Sequence, residues 1–462
     1  MATYTDTDTN YFKRGFGNYV IASGNCLVNF ATPHLGKLYD ADHLKDCLKN
    51  NVYRLLFSFG YGMHKGFNRL SANRIKRIGD EIDKMRNCPF TNDSPIYVDS
   101  GGYQVNNGYL ASSQIPQYLD LYTEFLQRKI KDFTMAFSLD LPASKPGIFN
   151  TYAEMESYNR LCYKRFAEFP QDMKDRIFYI HHYSSPSKYR IWRKFIEEDG
   201  YIDGFTNFSS PPENALKSAL SYSIPLSDIV TWCKSKKITR FDFHALGGAG
   251  AIDTFLYVLM SKHIKAVHGI DVNITYDSST LFKGVAVGRN LRLFKEDGIL
   301  YTADIHSNML HLKFDRGKTL EDCIFEAIGR ISDSYGLAHL DRESHPVFKA
   351  DGKADMATYV YMILHEMHVY RRIELECMEN ADGIYQLYAE GSHGYFIDNC
   401  MEFLRRFASG KITRKITDYC SSLIKAFKVI EQCDPGYNMG ILQNSTSAND
   451  IPEMTSDQPL LF

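Results

Sequence analysis

Residues 96–141 read IYVDSGGYQVNNGYLASSQIPQYLDLYTEFLQRKIKDFTMAFSLDL, and their order decides the fold. An apolar run, Ile96–Gly102, ends in polar residues and glycines. A charged amphipathic stretch, Gln114–Lys131, follows and predicts a helix. A second apolar run, Phe133–Leu141, closes the unit. Strand, helix and strand in this order predict two parallel strands joined by a crossover.

Working outward, the same unit recurs along the chain. Further apolar or aromatic runs are Tyr19–Phe30, Tyr53–Gly60, Arg176–Ser184, Tyr201–Ser209, Arg240–Gly248 and Val272–Thr280. Amphipathic stretches lie between them at Ser71–Met85, Thr151–Phe169 and Ser187–Glu198. Several begin at Ser or Thr, or carry Pro in the first turn, as helix starts do. Eight strands alternating with helices predict an α/β fold, a (β/α)8 TIM barrel spanning residues 1–290. An open doubly wound sheet would alternate too, and the count of eight is what separates the two.

The pattern changes after Arg289. Residues 291–314 predict a hairpin with Gly298 near its turn, and 354–379 and 397–432 predict helices. Residues 291–433 therefore form a hairpin and helical extension packed on the barrel. Residues 434–462, rich in Ser, Asn, Pro and Asp, read as a flexible tail.

Composition bounds the function. The 462 residues are 44% apolar and 23% charged, which excludes wholesale disorder, collagen and a small disulfide scaffold. No apolar run is long enough to span a bilayer, so no membrane partner is expected. Met1–Asp6 is polar and acidic, unlike a signal peptide, which predicts a cytoplasmic protein (host cytoplasm if viral). The ten cysteines approach no closer than thirteen residues in sequence, so they form no CxxC knuckle and read as reduced thiols. Net charge is −2, so contact with nucleic acid must come from a local patch. Basic stretches that could supply one are Lys234–Arg240, Arg289–Lys295 and Arg405–Lys415, although such runs are more often solvated faces. Tyrosine (31) and phenylalanine (30) carry the aromatic content, and composition does not choose between a large core and base-stacking surfaces.

Barrel enzymes place catalytic groups where strands end. Those ends are Asp99, Asp140, His181 with His182, Asn207, His244 and Asp277. Asp99 opens Asp99-Ser100-Gly101-Gly102-Tyr103-Gln104, whose paired glycines leave backbone amides open to a ligand. Asp277 closes Ile274-Thr275-Tyr276-Asp277. A single Asp after a strand more often caps the next helix. Two carboxylates at one barrel mouth suit chemistry at an anomeric carbon, one attacking and one moving the proton.

At Val98–Gln104 the sequence resembles the tRNA-guanine transglycosylase superfamily, whose signature is DSGGFQ. In the family's order, Met135–Pro142 resembles its base-recognition segment and His244–Gly250 its glycine-rich loop. Thr275–Ser278 resembles its nucleophile strand, with Lys283 and Arg289 near its downstream basic residues. The similarity covers roughly residues 50–315. It implies a pentosyltransferase that exchanges guanine for a 7-deazaguanine (preQ0-type) base through a covalent aspartyl-sugar intermediate. Asp277 would be the nucleophile and Asp99 the general acid/base. Ser100, Gly101, Gly102, Tyr103, Gln104, Asp140, His181, His182, Gly247, Gly248, Lys283 and Arg289 would bind substrate. Among them Tyr103 would stack on the base, Asp140 would accept from its amidine edge, and the Gly247 and Gly248 amides would read its carbonyl. The target base must leave its stack to enter such a pocket. No cofactor is implied.

Two departures mark this chain. The family's VQG segment appears as Ile180-His181-His182-Tyr183, which leaves the identity of the deazaguanine open. The family's CxCxxC zinc run is absent, and Cys323, His339 and His345 lack ligand spacing. His365-Glu366-Met367-His368 is HxxH in an apolar helical pattern and reads as packing rather than metal. The chain is therefore most similar to the phage and bacterial 7-deazaguanine DNA transglycosylases. DNA is the expected partner, with tRNA as the near alternative, and a homodimer is compatible with the family. A non-catalytic nucleic-acid-binding relative is a second reading, which the retention of both aspartates disfavours. A sugar hydrolase is a third, disfavoured because Asp99–Gln104 suits a planar base.

Overall fold

Buried apolar residues on the two faces of the strands fall into two separate clusters, and this parity organises the molecule. In a computed structural model, the residues described are 19–22, 54–60, 72–88, 91–92, 94–106, 108–139, 141, 148–149, 151–181, 199–211, 222–248, 251–278, 285, 291–295 and 300–379. Eight short parallel strands are β1 (Tyr19–Ala22), β2 (Arg54–Ser58), β3 (Ile96–Asp99), β4 (Met135–Phe137), β5 (Ile177–Ile180), β6 (Asn207–Ser210), β7 (Arg240–Ala245) and β8 (Asp271–Ser278). All eight lie within or overlap the predicted runs. Strands β2 to β8 pair in sequence order into a curled parallel sheet. The short β1 pairs in parallel with β2 (Val20 opposite Arg54) and with β8 (Val20 opposite Asp277).

The helices between strands are α1 (Ala72–Asn87), α2 (Gly102–Asn106), α3 (Ile115–Lys129), α4 (Tyr152–Ala167), α5 (Gln171–Lys174), α6 (Ser223–Ser235) and α7 (Ala251–His268). This is an α/β fold with a curled parallel sheet and helices between its strands, an arrangement compatible with a TIM-like fold. Local chemistry sets the helix starts. Pro116 occupies the first turn of α3, where its missing N–H costs nothing. Thr151 caps α4 by accepting from the Glu154 amide at 3.1 Å.

One apolar cluster fills the space between sheet and helices and takes Leu55, Phe57, Ile96, Val98, Ile177, Tyr179, Phe241, Phe243, Ile274 and Tyr276. The other lies within the curl and takes Val20, Leu56, Tyr97, Phe137, Phe178 and Ile180. Strand side chains alternate faces, so Arg54, Leu56 and Ser58 share the concave side with Tyr97 and Asp99. By the same rule His244, Thr275 and Asp277 point inward. Near the start of the strands, Arg54 donates to the Tyr97 hydroxyl at 2.8 Å and Asn273 donates to Asp242 at 2.9 Å.

The region after residue 290 differs in detail from the sequence reading. Strands β9 (Leu291–Phe294) and β10 (Leu300–Ala303) form an antiparallel pair, and the predicted hairpin ends there. A second small pair follows, β11 (Lys313–Asp315) with β12 (Lys318–Thr319). Helix α8 (Leu320–Tyr335) was not predicted; α9 (Met356–Glu379) was. Helix α9 packs on α7, on α8 and on β9, which joins this region to the strand-rich part. The predicted helices Ser187–Glu198 and 397–432, the turn at Gly298 and the tail 434–462 lie outside the described residues. Among the described residues no helix is long and apolar enough to cross a membrane.

Candidate active site

Asp99 is the last residue of β3 and Asp277 the penultimate residue of β8, so both stand at the C-terminal ends of the strands. Register places Asp99 opposite Ser58, whose hydroxyl donates to Asp99 Oδ2 at 2.7 Å. Asp277 Oδ1 accepts from the Gly247 amide at 2.7 Å and lies 3.3 Å from His244 Nε2. His244 is wholly buried, whereas the Asp277 side chain keeps 14% of its exposure. The carboxylate that could react therefore sits at the rim, with its support beneath it.

His244 occupies an aromatic cage. Its ring lies 4.8 Å from that of Phe137, 5.5 Å from Phe178 and 5.9 Å from Tyr97, centre to centre. Its Nδ1 is 2.9 Å from Thr275 Oγ1. Burial holds its pKa below the ordinary imidazole value against the pull of Asp277, and Arg54 adds to the lowering.

The two glycine-rich turns are held from behind by tyrosines on the crossover helices. Tyr118 of α3 donates to the Ser100 carbonyl at 2.6 Å. Tyr222, at the start of α6, donates to the Leu246 carbonyl at 2.6 Å. Tyr122 does the same for Phe137 at 2.8 Å and Tyr163 for Ile180 at 3.0 Å. Four strand ends thus have carbonyls satisfied by buried phenols rather than by water. Burial first, and then the nearby Asp99 or Asp277, raises the Tyr118 and Tyr222 hydroxyls well above the usual phenol range. These tyrosines serve the core and the strand ends, which settles part of what composition left open.

Glycine is required where these turns pass close to other groups. A Cβ on Gly101, whose φ is +88°, would sit 2.5 Å from Gly60 Cα. A Cβ on Gly248 would sit 2.0 Å from the Tyr257 hydroxyl. Near the first turn, Ser100 Oγ and Gln104 Oε1 are buried without a hydrogen-bond partner among the described residues.

Several predicted site residues stand differently from expectation. Asn207 begins β6 rather than ending it, and its amide donates to the Asp175 carbonyl before β5. It lies at the opposite end of the sheet from Asp99 and Asp277. His181, just past β5, is wholly buried with Nε2 3.8 Å from Asp228 Oδ2 of α6, so it faces the helix layer. The Gly247 amide is engaged by Asp277 rather than left open. The basic stretch Lys234–Arg240 joins the end of α6 to the start of β7, again at the far end, and Lys236 pairs with Asp203 at 3.0 Å. Asp140, His182, Lys283, Arg289, the Tyr103 side chain and the stretch Arg405–Lys415 lie outside the described residues.

The chain matches no family model, no curated protein and no solved structure.

The HxxH motif is occupied by packing. His365 Nε2 is 2.7 Å from the Arg292 carbonyl, and Glu366 takes Arg292 Nη1 at 2.6 Å. Among the described residues no group of three His, Cys, Asp or Glu could hold a metal ion. Sequence reasoning missed Ser58, Thr275 and the four capping tyrosines as supports of the site. Ser58 and Thr275 could have been found from strand parity with the two aspartates; the tyrosines carried no local signal.

Proposed function

We propose that the eight strands make a (β/α)8 barrel whose C-terminal mouth exchanges guanine for a 7-deazaguanine base in DNA. The observation that carries this reading is the pair Asp99 and Asp277, inward-facing at strand ends and each beside a glycine-rich turn. In the first half-reaction a carboxylate oxygen of Asp277 bonds to C1′ of a flipped deoxyguanosine as the C1′–N9 bond breaks. The Asp99 carboxyl gives its proton to N9 of the departing guanine. In the second half, Asp99 takes the N9 proton of the incoming 7-deazaguanine. That nitrogen then displaces Asp277 from C1′. The energy of the first glycosidic bond is kept in the ester, so no external energy source enters. Ser100 Oγ and Gln104 Oε1, buried and without a partner among the described residues, suit the polar edge of a planar base. DNA is favoured over tRNA because the CxCxxC run of the tRNA-acting members has no counterpart in this chain.

The test is incorporation of labelled 7-cyano-7-deazaguanine into duplex DNA and, in parallel, into unmodified tRNA, with Asp277→Ala as control. Label in DNA that vanishes in Asp277→Ala supports the proposal. Label in tRNA alone returns the polymer to RNA. Label in neither, or label that survives Asp277→Ala, overturns it.

A further inference from the structure

The buried imidazole beneath Asp277 gives the two oxygens of that carboxylate different tasks. We propose that His244 is a positioning residue which, together with the Gly247 amide, fixes Oδ1 of Asp277 as the hydrogen-bonded oxygen and leaves Oδ2 as the one that bonds to the sugar. This rests on the reading of Asp277 as nucleophile.

The hydrogen-bond chain fixes the tautomer. Thr275 Oγ1 stands 2.9 Å from His244 Nδ1, and Asp277 Oδ1 stands 3.3 Å from Nε2. An ionised carboxylate only accepts, so Nε2 carries the hydrogen, and Nδ1 at 2.9 Å is a nearer acceptor for the Thr275 hydroxyl than the Phe243 carbonyl at 3.4 Å. The cage of Tyr97, Phe137 and Phe178 rings disfavours a second proton on the imidazole. The other charged and titratable groups facing this pair are Arg54 below His244 and Tyr222 and Tyr257 behind the glycine turn.

Both donors, the Gly247 amide and His244 Nε2, converge on the same oxygen. Two donors on Oδ1 lock the carboxylate plane and concentrate charge there. Among the described residues no hydrogen bond is made to Oδ2. When Oδ2 bonds to C1′, Oδ1 becomes the ester carbonyl and both donors stay in place. When the incoming base breaks that bond, charge returns to a carboxylate already solvated by fixed donors, so both halves of the exchange gain.

The test compares His244→Leu, which removes the donor, with His244→Gln, which restores an N–H of similar reach. The first readout needs no substrate: the Asp277 carboxyl carbon resonance at one fixed neutral pH, assigned with Asp277→Asn. Removing a donor from a carboxylate oxygen changes the shielding of the carboxyl carbon. The Asp277 carboxyl resonance is expected to move in His244→Leu and to return toward its wild-type position in His244→Gln. The second readout is base exchange, where kcat is expected to fall about 100-fold in His244→Leu with KM little changed and partial recovery in His244→Gln. Thermal melting checks that each variant folds. An unchanged Asp277 carboxyl resonance in a folded His244→Leu overturns the proposal. The resonance change in His244→Leu together with no base exchange by the wild-type protein would instead overturn the assigned reaction.

Discussion

Tyr222 and Gly247 address opposite ends of one peptide plane: the phenol donates to the Leu246 carbonyl at 2.6 Å, and the amide of that same peptide donates to Asp277 at 2.7 Å. In a trans peptide C=O and N–H point opposite ways, so fixing the carbonyl aims the amide. A phenol on the outer helix layer thereby sets the direction of a hydrogen bond at the strand ends. On the proposed function, Tyr222→Phe is expected to lower base exchange about tenfold, the scale of losing one fixed donor orientation, while the melting temperature moves little. Steady-state kinetics beside a melting curve checks this, and unchanged kcat would show that the turn holds its shape without the phenol.

Gly101 and Gly248 differ in what an added methyl would meet. At Gly101 the obstacle is the Gly60 backbone and φ is +88°, so nothing can rotate away. Gly101→Ala is expected to cost at least ~2 kcal/mol. At Gly248 the obstacle is the Tyr257 hydroxyl, so adding Tyr257→Phe to Gly248→Ala is expected to recover part of the loss. Urea unfolding of the two alanine variants and the double variant measures both, and equal recovery of Gly101→Ala by Tyr257→Phe would contradict the distinction.

Glu366 is 2% exposed, and burial raises its pKa despite the Arg292 guanidinium beside it. Arg292 also lies over the Tyr370 ring at 4.5 Å. Removing one member of such a pair strands a buried charge. Arg292→Met is expected to destabilise by ~3–5 kcal/mol, and Arg292→Met with Glu366→Leu by much less. Chemical denaturation decides it; a double variant no more stable than the single one would mean that the pair is not the source.

His365 is held neutral, its pKa lowered from 6.5 to about 3 by burial. The unfolded chain takes up a proton near pH 6.5 that the folded chain refuses, so this group's stabilisation is complete above 6.5 and is lost as pH falls toward about 3. His263, lowered to about 4 by burial, acts in the same direction, so the comparison must be between variants. His365→Gln is expected to flatten the decline of stability between pH 6.5 and 4, read from melting temperature against pH. Parallel curves for variant and wild type would rule His365 out.

Much of the fold was written locally. The eight apolar runs and the helical stretches between them follow from side-chain period, which the chain must satisfy before any tertiary contact forms. Helix α8 was missed although its ends carry signals: Thr319 and Asp322 form a capping box, and Gly336 closes the helix at φ +62°. Asn207 was misplaced because an apolar run does not reveal where inside it pairing begins. Only the register with β7 settles that Asn207 opens β6.

The sequence by itself determined the strand and helix order, the positions of Asp99 and Asp277 at strand ends, and the glycines beside them, because each depends on spacing or backbone freedom within a few residues. The tertiary structure alone decided which groups surround those aspartates. His244 beneath Asp277, Ser58 against Asp99, His181 turned toward Asp228, and the tyrosines behind the turns are contacts between strands or between helix and strand. Such contacts are fixed by register and by the curl of the sheet, which no local pattern encodes.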